Sequence, residues 1–350
     1  MRRRRPPIIR HLVLWLTTAC NLNCAYCYRG DPSKVLALDR DMVRRALSLA
    51  AAGGGPLHVQ MAGGEPTLVP ELMETVAREV HRLEVPTTLA VQTNGVALDH
   101  AMARLFKRWS IGVGVSLDGP PEVQERLRGR APEVWQGLEE LNRAEVDFGV
   151  TAVVCAENLI ELPRLAMLLG HWTHARGLGL DLLVRRGRAM QGGPSMAEPE
   201  ALIRAMQELA GAVAWISSQR RRPLVLREQK RLQNLLHPFC QAALGASLAV
   251  HPDGSLYPCG QTMGDEDCEM GTLDRPDFTR AAALAAYRLE QDDCASCPLE
   301  ARCPGECPSR LKYNGPQGRV LACALLQGLT RAAGSPWHPP RLKEYRHAAA

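Results

Sequence analysis

Three cysteines near the start of this sequence are spaced closely enough to carry chemistry together. Cys20, Cys24 and Cys27 follow a C-x3-C-x2-C pattern directly after an apolar run. Cubane iron–sulfur clusters are held by cysteine thiolates, so three thiolates on one loop hold three irons and leave the fourth open to a substrate. A zinc site is the alternative, but zinc prefers four ligands and C-x2-C pairs. The spacing therefore predicts a redox-active cluster with one open iron.

The other cysteines are distributed unevenly. In a reducing compartment, clustered cysteines indicate metal sites before disulfides. Cys155 stands alone in the apolar run Val150–Cys155, and we expect it to be a core residue. The remaining eight form a second cysteine-rich region, which comprises Cys240, Cys259, Cys268, Cys294, Cys297, Cys303, Cys307 and Cys323.

Short β-rich runs alternate with amphipathic helical runs from residue 11 to about residue 186. Six βα repeats predict a parallel sheet covered by helices, and right-handed crossovers curve it into an open or partly closed barrel. We therefore expect an α/β fold, a partial (β/α)6 TIM-like barrel with its chemistry in the loops after the strands. The predicted strands are His11–Leu16, Leu57–Met61, Thr88–Gln92, Gly112–Leu117, Phe148–Val154 and Leu180–Val184. The predicted helices are Asp41–Ala51, Pro70–Leu83, Ala101–Trp109, Pro132–Ala144 and Leu162–Ala175.

Shifts in composition suggest how the chain is divided. Residues 1–10 are predicted to be a disordered basic arm, 11–190 the barrel, 191–236 a linker and bridging helix, 237–330 a cysteine-rich iron–sulfur domain and 331–350 a tail. Helical and strand periodicity fades after about residue 236. We therefore expect this last region to have little core of its own and to be held together by metal.

Charge and hydropathy exclude some classes of protein. The net charge of +5 comes partly from Arg2–Arg5 and is weak evidence for nucleic acid. No apolar run reaches the length of a membrane span, and no signal-peptide cleavage site follows the basic start. We expect a cytoplasmic protein that binds neither membranes nor nucleic acid. A zinc-stabilised nucleic-acid binder anchored by the arginines is a minor alternative.

The cysteine triplet and four later motifs together resemble the radical S-adenosylmethionine (SAM) superfamily over residues 11–186. Tyr26 precedes the last cysteine of the triplet, and Gly63-Gly64-Glu65-Pro66 follows the second predicted strand. The resemblance implies that Cys20, Cys24 and Cys27 hold a SAM-binding [4Fe-4S] cluster. The resemblance also places Tyr26 near the adenine of SAM. It implies that the Glu65 carboxylate and backbone groups of the glycine motif bind the SAM ammonium.

Two further segments resemble family motifs that line the SAM ribose and the substrate cavity. They are Gln92–Gly95, which contains Thr93 and Asn94, and Ser116–Pro120. Ser116 and Asp118 are the candidate hydroxyl partners. A related family pattern, HDxxR, keeps only its last residue here, Arg128.

The C-terminal cysteines resemble the seven-cysteine signature of the SPASM extension, which binds two auxiliary [4Fe-4S] clusters. By this resemblance Cys240, Cys259 and Cys307 hold the inner cluster, one ligand short. Two alternatives stay open for the missing ligand of the inner cluster. Either Cys268 is the fourth ligand, or one iron is open to substrate or to another donor. The outer cluster takes Cys294, Cys297, Cys303 and Cys323.

The resemblance implies reductive cleavage of SAM to a 5′-deoxyadenosyl radical. That radical would oxidatively cross-link or dehydrogenate a side chain of a ribosomally made peptide or protein. An external electron donor of the flavodoxin or ferredoxin type is required. Because only about ten residues precede the first predicted strand, a separate leader-peptide recognition protein is a possible partner.

Two other radical SAM activities stay open. Enzymes of the anaerobic sulfatase-maturing family carry an Asp directly after the cysteine equivalent to Cys259, whereas this chain has Gly260, which disfavours that activity. Asp265, Glu266 or Asp267 could supply a base instead. The second alternative is a small-molecule substrate in cofactor or tetrapyrrole biosynthesis.

Overall fold

A computed structural model describes residues 8–29, 34–233, 240–287, 294, 297, 299 and 303–331. In this part of the chain nine strands form one sheet, in the order β7-β6-β5-β4-β3-β2-β1-β8-β9. All neighbouring pairs are parallel except β8 and β9, which are antiparallel. The strands are β1 (His11–Trp15), β2 (Leu57–Ala62), β3 (Thr87–Thr93), β4 (Gly112–Ser116), β5 (Phe148–Val154), β6 (Ala175–Leu182), β7 (Val225–Leu226), β8 (Ser247–Val250) and β9 (Leu256–Tyr257).

Amphipathic helices connect the first six strands. Asp39 and Asp99 cap the first and third helices, each accepting a hydrogen bond of 2.8 Å from a backbone amide in the first turn. The helices are α1 (Arg40–Ala51), α2 (Pro70–Val80), α3 (His100–Arg108), α4 (Pro121–Leu127), α5 (Ala131–Arg143), α6 (Leu162–Leu169), α7 (Pro199–Ser218), α8 (Arg227–Gln233) and α9 (Pro308–Arg331).

The observed elements confirm the predicted α/β barrel and its six βα repeats. Five of the six predicted strands begin and end within one residue of the observed bounds. Four of them show a clear alternation of buried and less buried residues, and β1 is a continuous apolar run after His11. The sixth was predicted too late. β6 begins at Ala175, and the preceding helix α6 ends at Leu169 instead of continuing to that residue.

The region after residue 240 is more structured than the sequence suggested. β8 pairs in parallel with β1, so this region extends the barrel sheet directly. Its long helix α9 packs along α7 and is kinked where Gly315 takes a φ of 57° before Pro316. Leu248 and Leu321 are buried in the main core. The described part of this region therefore shares the barrel's core, and the expectation that it has little core of its own stays a prediction. None of the helices described is both long and apolar enough to span a membrane.

Candidate active site

The cysteine triplet lies on the loop that follows β1, at the carboxyl edge of the sheet. Cys20, Cys24 and Cys27 are each half-buried, and the Cys24 thiol interacts electrostatically with the other two. Burial raises the pKa of Cys24 to about 11 in the protein without a cluster. Arg188, beyond β6, donates to the carbonyl of Cys24 at 2.9 Å and ties the loop to the far side of the barrel.

Gly63 and Gly64 let the chain after β2 lie directly against this loop. The amide of Gly64 donates to the Thr17 carbonyl at 2.7 Å, and the amide of Glu65 donates to the Ala19 carbonyl at 2.8 Å. A Cβ on Gly64 would lie 2.0 Å from the Ala19 oxygen, and one on Gly63 would lie 2.1 Å from the Trp15 ring. Only glycine permits this approach. The glycine pair therefore positions the cysteine loop.

The Glu65 carboxylate joins the ends of β2 and β3. Its Oε1 accepts from the amide and hydroxyl of Thr67 at 3.0 and 2.6 Å and from the Thr93 hydroxyl at 2.7 Å, and its Oε2 accepts from the Asn94 amide at 2.6 Å. Burial raises the pKa of Glu65 even though these donors favour the ionised form. A carboxylate offers about four acceptor positions, so little capacity remains for the predicted contact with the SAM ammonium.

Asn94 and Ser116 extend the site along the next two strands. The Asn94 amide donates to the Asn21 side chain at 2.7 Å and lies 3.9 Å from the Cys20 sulfur, so it reaches the cysteine loop directly. The Ser116 hydroxyl accepts from Gln92 at 3.0 Å. Both residues face the same cavity as the triplet, as the motif order predicts.

Asp118 has a different place from the one predicted. It is fully buried, and Arg128 binds it through two hydrogen bonds of 2.9 and 3.0 Å. Its carboxylate also accepts from the Tyr26 hydroxyl and, at 2.8 Å, from the Val153 amide. These contacts fill the carboxylate and keep it behind the cavity wall. Asp118 therefore fixes Tyr26 and Arg128, which do line the cavity, instead of meeting a ribose hydroxyl itself.

The cavity has a volume of about 310 Å³ and opens at the carboxyl edge of the barrel. The cysteine loop and the glycine motif line it. So do three residues that the sequence motifs did not single out, namely Asp181, Arg227 and Gln261. A signal for Asp181 exists in the sequence, because it is a charged residue within the apolar run Leu180–Val184 at the end of a predicted strand.

The later cysteines fall into two groups. The Cys303 and Cys323 thiols interact electrostatically with Cys294 and Cys297, which gives the predicted outer set. The Cys307 thiol interacts with Cys240 and Cys259, which gives the predicted inner set. Among the described residues, none of these groups is arranged around one point as the ligands of a single metal ion would be.

Cys268 lies apart from the inner set. Its thiol is buried and is 3.6 Å from the Lys312 ammonium, which also pairs with Asp265 at 2.9 Å. The charges that act on Cys268 are those of Asp265, Asp267 and Lys312. These contacts favour the open-iron alternative over Cys268 as fourth ligand of the inner cluster. Cys155 is fully buried, where we expected it.

The residues at the cavity fit SAM and a cluster with one open iron. Three thiols on one loop are the donor set that iron–sulfur clusters use. Gly63 and Gly64 line the same cavity as the three thiols, so backbone without a side chain meets a ligand there. Cys20, Cys24 and Cys27 would hold the cluster, and Tyr26, Ser116 and Arg128 would face the bound SAM.

Comparisons with known proteins agree with this arrangement. A family model described as the radical SAM superfamily matches residues 16–169. A serine-type anaerobic sulfatase-maturating enzyme from Klebsiella aerogenes is 28% identical, over 89% of this chain and 82% of the relative.

Solved structures of similar fold cover both halves of the chain. Native anSMEcpe with bound AdoMet superimposes with a TM-score of 0.74 at 17% identity, over 93% of this chain and 96% of that one. Streptococcus suis SuiB bound to S-adenosylmethionine gives a TM-score of 0.65 at 16% identity, over 89% and 76% of the two chains. These folds include the C-terminal cysteine region as well as the barrel. Residues 16–169 thus match the radical SAM superfamily, and the whole chain is similar to enzymes of that superfamily.

Proposed function

We propose that this enzyme oxidatively modifies a side chain of a ribosomally made peptide or protein, by cross-linking or dehydrogenation. The observation that carries the proposal is the shared cavity. The SAM motifs line it together with Gln261, which is two residues after Cys259 of the inner thiol group. A substrate in this cavity would lie between the two sites.

Relatives support a peptide or protein substrate. The Klebsiella relative is a sulfatase-maturating enzyme, which acts on a protein. Solved structures of similar fold include anSMEcpe with bound AdoMet and a Kp18Cys peptide, and SuiB bound to its precursor peptide SuiA. At these low identities the structures establish fold, so the peptide substrate remains our inference for this chain.

The chain's own residues account for binding and shielding. When bound, SAM and its cluster supply a 5′-deoxyadenosyl radical that takes a hydrogen atom from substrate. Arg128 lies over the Tyr26 ring at 5.2 Å and is fixed by Asp118, which makes a rigid wall beside the triplet. Apolar Leu182 and Val184 line the same cavity and help to exclude water from a reactive intermediate.

The proposed cofactor set is SAM, one SAM-binding [4Fe-4S] cluster and two auxiliary [4Fe-4S] clusters, reduced by an external flavodoxin- or ferredoxin-type donor. The two later cysteine groups support two auxiliary sites. Iron and sulfide analysis of the anaerobically purified enzyme tests the number. About twelve irons per chain are expected from three cubanes, and replacement of Cys297 by Ala should remove only the outer set.

Serine-type sulfatase maturation is the second candidate, because the relative that carries this activity covers most of the chain. Gly260 stands where that family has an Asp. The nearby Asp265 cannot simply replace it, since it is held by Lys312 at 2.9 Å and by Tyr313 at 2.6 Å and does not line the cavity. This geometry favours a different peptide substrate.

Anaerobic co-expression with short peptides encoded beside the gene, and separately with a sulfatase-derived serine peptide, tests the proposal by mass spectrometry. We expect loss of two hydrogens from a neighbouring peptide, and no loss with Cys24→Ala. Oxidation of the sulfatase peptide alone would favour the second candidate. If no peptide changes while SAM is still cleaved, the substrate is a small molecule or a separate recognition protein is missing from the assay.

A further inference from the structure

One carboxylate that lines the cavity has an oxygen with no hydrogen-bond donor among the residues that the structure describes. Asp181 Oδ1 accepts from Arg227 at 3.2 Å and from Arg310 at 3.0 Å. Within the part of the chain that the structure describes, no donor contacts Oδ2. The Asp181 side chain is 37% exposed, although the Arg310 side chain that holds it is only 7% exposed.

Asp118 provides an internal comparison. Both are aspartates near the carboxyl ends of barrel strands, and both are bound by arginine. Asp118 uses both oxygens in protein contacts, is fully buried and stays outside the cavity lining. Asp181 instead lines the cavity, with one oxygen that no described donor contacts.

The two arginines make Asp181 a rigid acceptor. Arg310 bridges it to Glu306, with its Nε 2.6 Å from the Glu306 carboxylate, and Arg227 bridges it to Glu228 at 2.7 Å. Each arginine thus has a second acidic partner, and the carboxylate is held from two directions. A fixed charged acceptor costs little further ordering when a ligand binds to it.

Glu65 is the other carboxylate among the described residues that line the cavity, and its oxygens already accept four hydrogen bonds. It lies beside the cysteine loop. Asp181 lies at the end of β6, which four strands separate from β1 in the sheet, and it is close enough to Cys259 to act on it electrostatically.

We propose that Asp181 Oδ2 accepts a hydrogen bond from the substrate residue that is oxidised, and so orients its C–H bond towards the cysteine loop. This inference rests on the proposed function and narrows it. The residue modified should carry an O–H, S–H or N–H donor close to the attacked carbon. An aliphatic residue would leave the charged oxygen desolvated and unpaired, which is costly.

The test compares Asp181→Asn with Asp147→Asn. Asn keeps a carbonyl oxygen for the two arginines but lacks the charged acceptor, and Asp147 is an ion-paired aspartate on the surface. Loss of a hydrogen bond to a charged group should lower peptide product formation roughly 10- to 100-fold. SAM cleavage should continue, so the ratio of 5′-deoxyadenosine to product should rise. Iron content and the unfolding midpoint should match those of Asp147→Asn.

A second experiment varies the substrate. In this substrate variant, an isostere that lacks the O–H, S–H or N–H donor replaces the modified residue. The wild-type enzyme should modify this variant about as slowly as D181N modifies the normal peptide. Combining the two changes should slow product formation little further. Equal product from wild type and D181N, or effects that multiply, would overturn the inference while leaving the proposed function intact. If D181N does not fold, the wild-type enzyme alone decides the question. Equal rates on the peptide with the donor and on the peptide without it would then overturn the inference. A wild-type enzyme that modifies no peptide contradicts the proposed function itself.

Discussion

At the scale of single residues, the glycine pair after β2 does more than allow a turn. Gly64 forms the contact through which β2 holds the loop that carries Cys20. Backbone amides on one segment meet backbone carbonyls on the other at 2.7 and 2.8 Å, so there is no flexible side chain that could move aside. This geometry makes the iron-binding capacity of the triplet depend on a residue that binds no iron.

Replacing Gly64 by Ala should therefore separate the loop from β2. The new methyl would lie 2.0 Å from the Ala19 oxygen, and overpacking of this kind costs about 1–3 kcal/mol. We expect a lower unfolding midpoint and loss of the SAM-binding cluster, measured by iron content and by 5′-deoxyadenosine yield. Gly149→Ala in β5 is the matched control, because its nearest neighbour would be 3.8 Å away. Equal iron content in both variants would contradict the argument.

At the scale of elements, the amino-terminal edge of the sheet carries two stacked histidines. His11 on β1 and His58 on β2 have ring centroids 5.3 Å apart, and the rings are nearly parallel. His58 also contacts the Thr88 hydroxyl on β3 at 2.8 Å. Burial, and to a smaller extent His58, lowers the pKa of His11 to about 4, and burial lowers the pKa of His58 as well. Both imidazoles are neutral in the folded protein near neutral pH.

This pair should make stability fall as the pH decreases from about 6.5 towards 4. The unfolded chain takes up protons on these histidines near pH 6.5, whereas His11 in the folded protein does so only near pH 4. Protonation below pH 6.5 therefore favours unfolding. We expect the free energy of unfolding to drop by on the order of 2 kcal/mol. Chemical denaturation of wild type and His11→Asn at pH 7.5 and 5 measures it. The prediction fails if the free energy of unfolding decreases equally in wild type and His11→Asn between pH 7.5 and pH 5.

The elements also show what sequence could and could not predict. Four barrel strands were predicted closely because buried and less buried residues alternate along them, and β1 was recognised from its apolar run. β8 was missed because Ser247–Val250 is only four residues long, is buried at all four positions and shows no alternation. Its partner β1 is more than 200 residues away in sequence. The cysteine groups follow from spacing, but the place of Asp181 depends on Arg227 and Arg310 from distant elements. The burial of Asp118 depends on its pairing with Arg128.

At the scale of the whole molecule, the barrel and the C-terminal cysteine region share one sheet and one core. β8 and β9 continue the barrel sheet beyond β1, and α9 packs along α7. Leu248 in β8 is fully buried in the same core as the barrel strands. The cavity is built from both parts, since Gln261 lines it together with the SAM motifs. The distance between the two cysteine regions is therefore set by β-sheet hydrogen bonds and core packing.

A core substitution in β8 should for this reason destabilise the barrel as well. Leu248→Ala leaves a cavity and is expected to cost about 2–5 kcal/mol. Because β8 pairs with β1, hydrogen exchange should become faster for the β1 and β2 amides as well as for β8, with one common unfolding transition. Leu244→Ala is the control, because Leu244 is 59% exposed, and it should change neither the stability nor the hydrogen exchange of these amides. Faster exchange confined to residues 240–287, with barrel amides unaffected, would show instead that the cysteine-rich region unfolds independently and that its strand pairing does not fix the cavity.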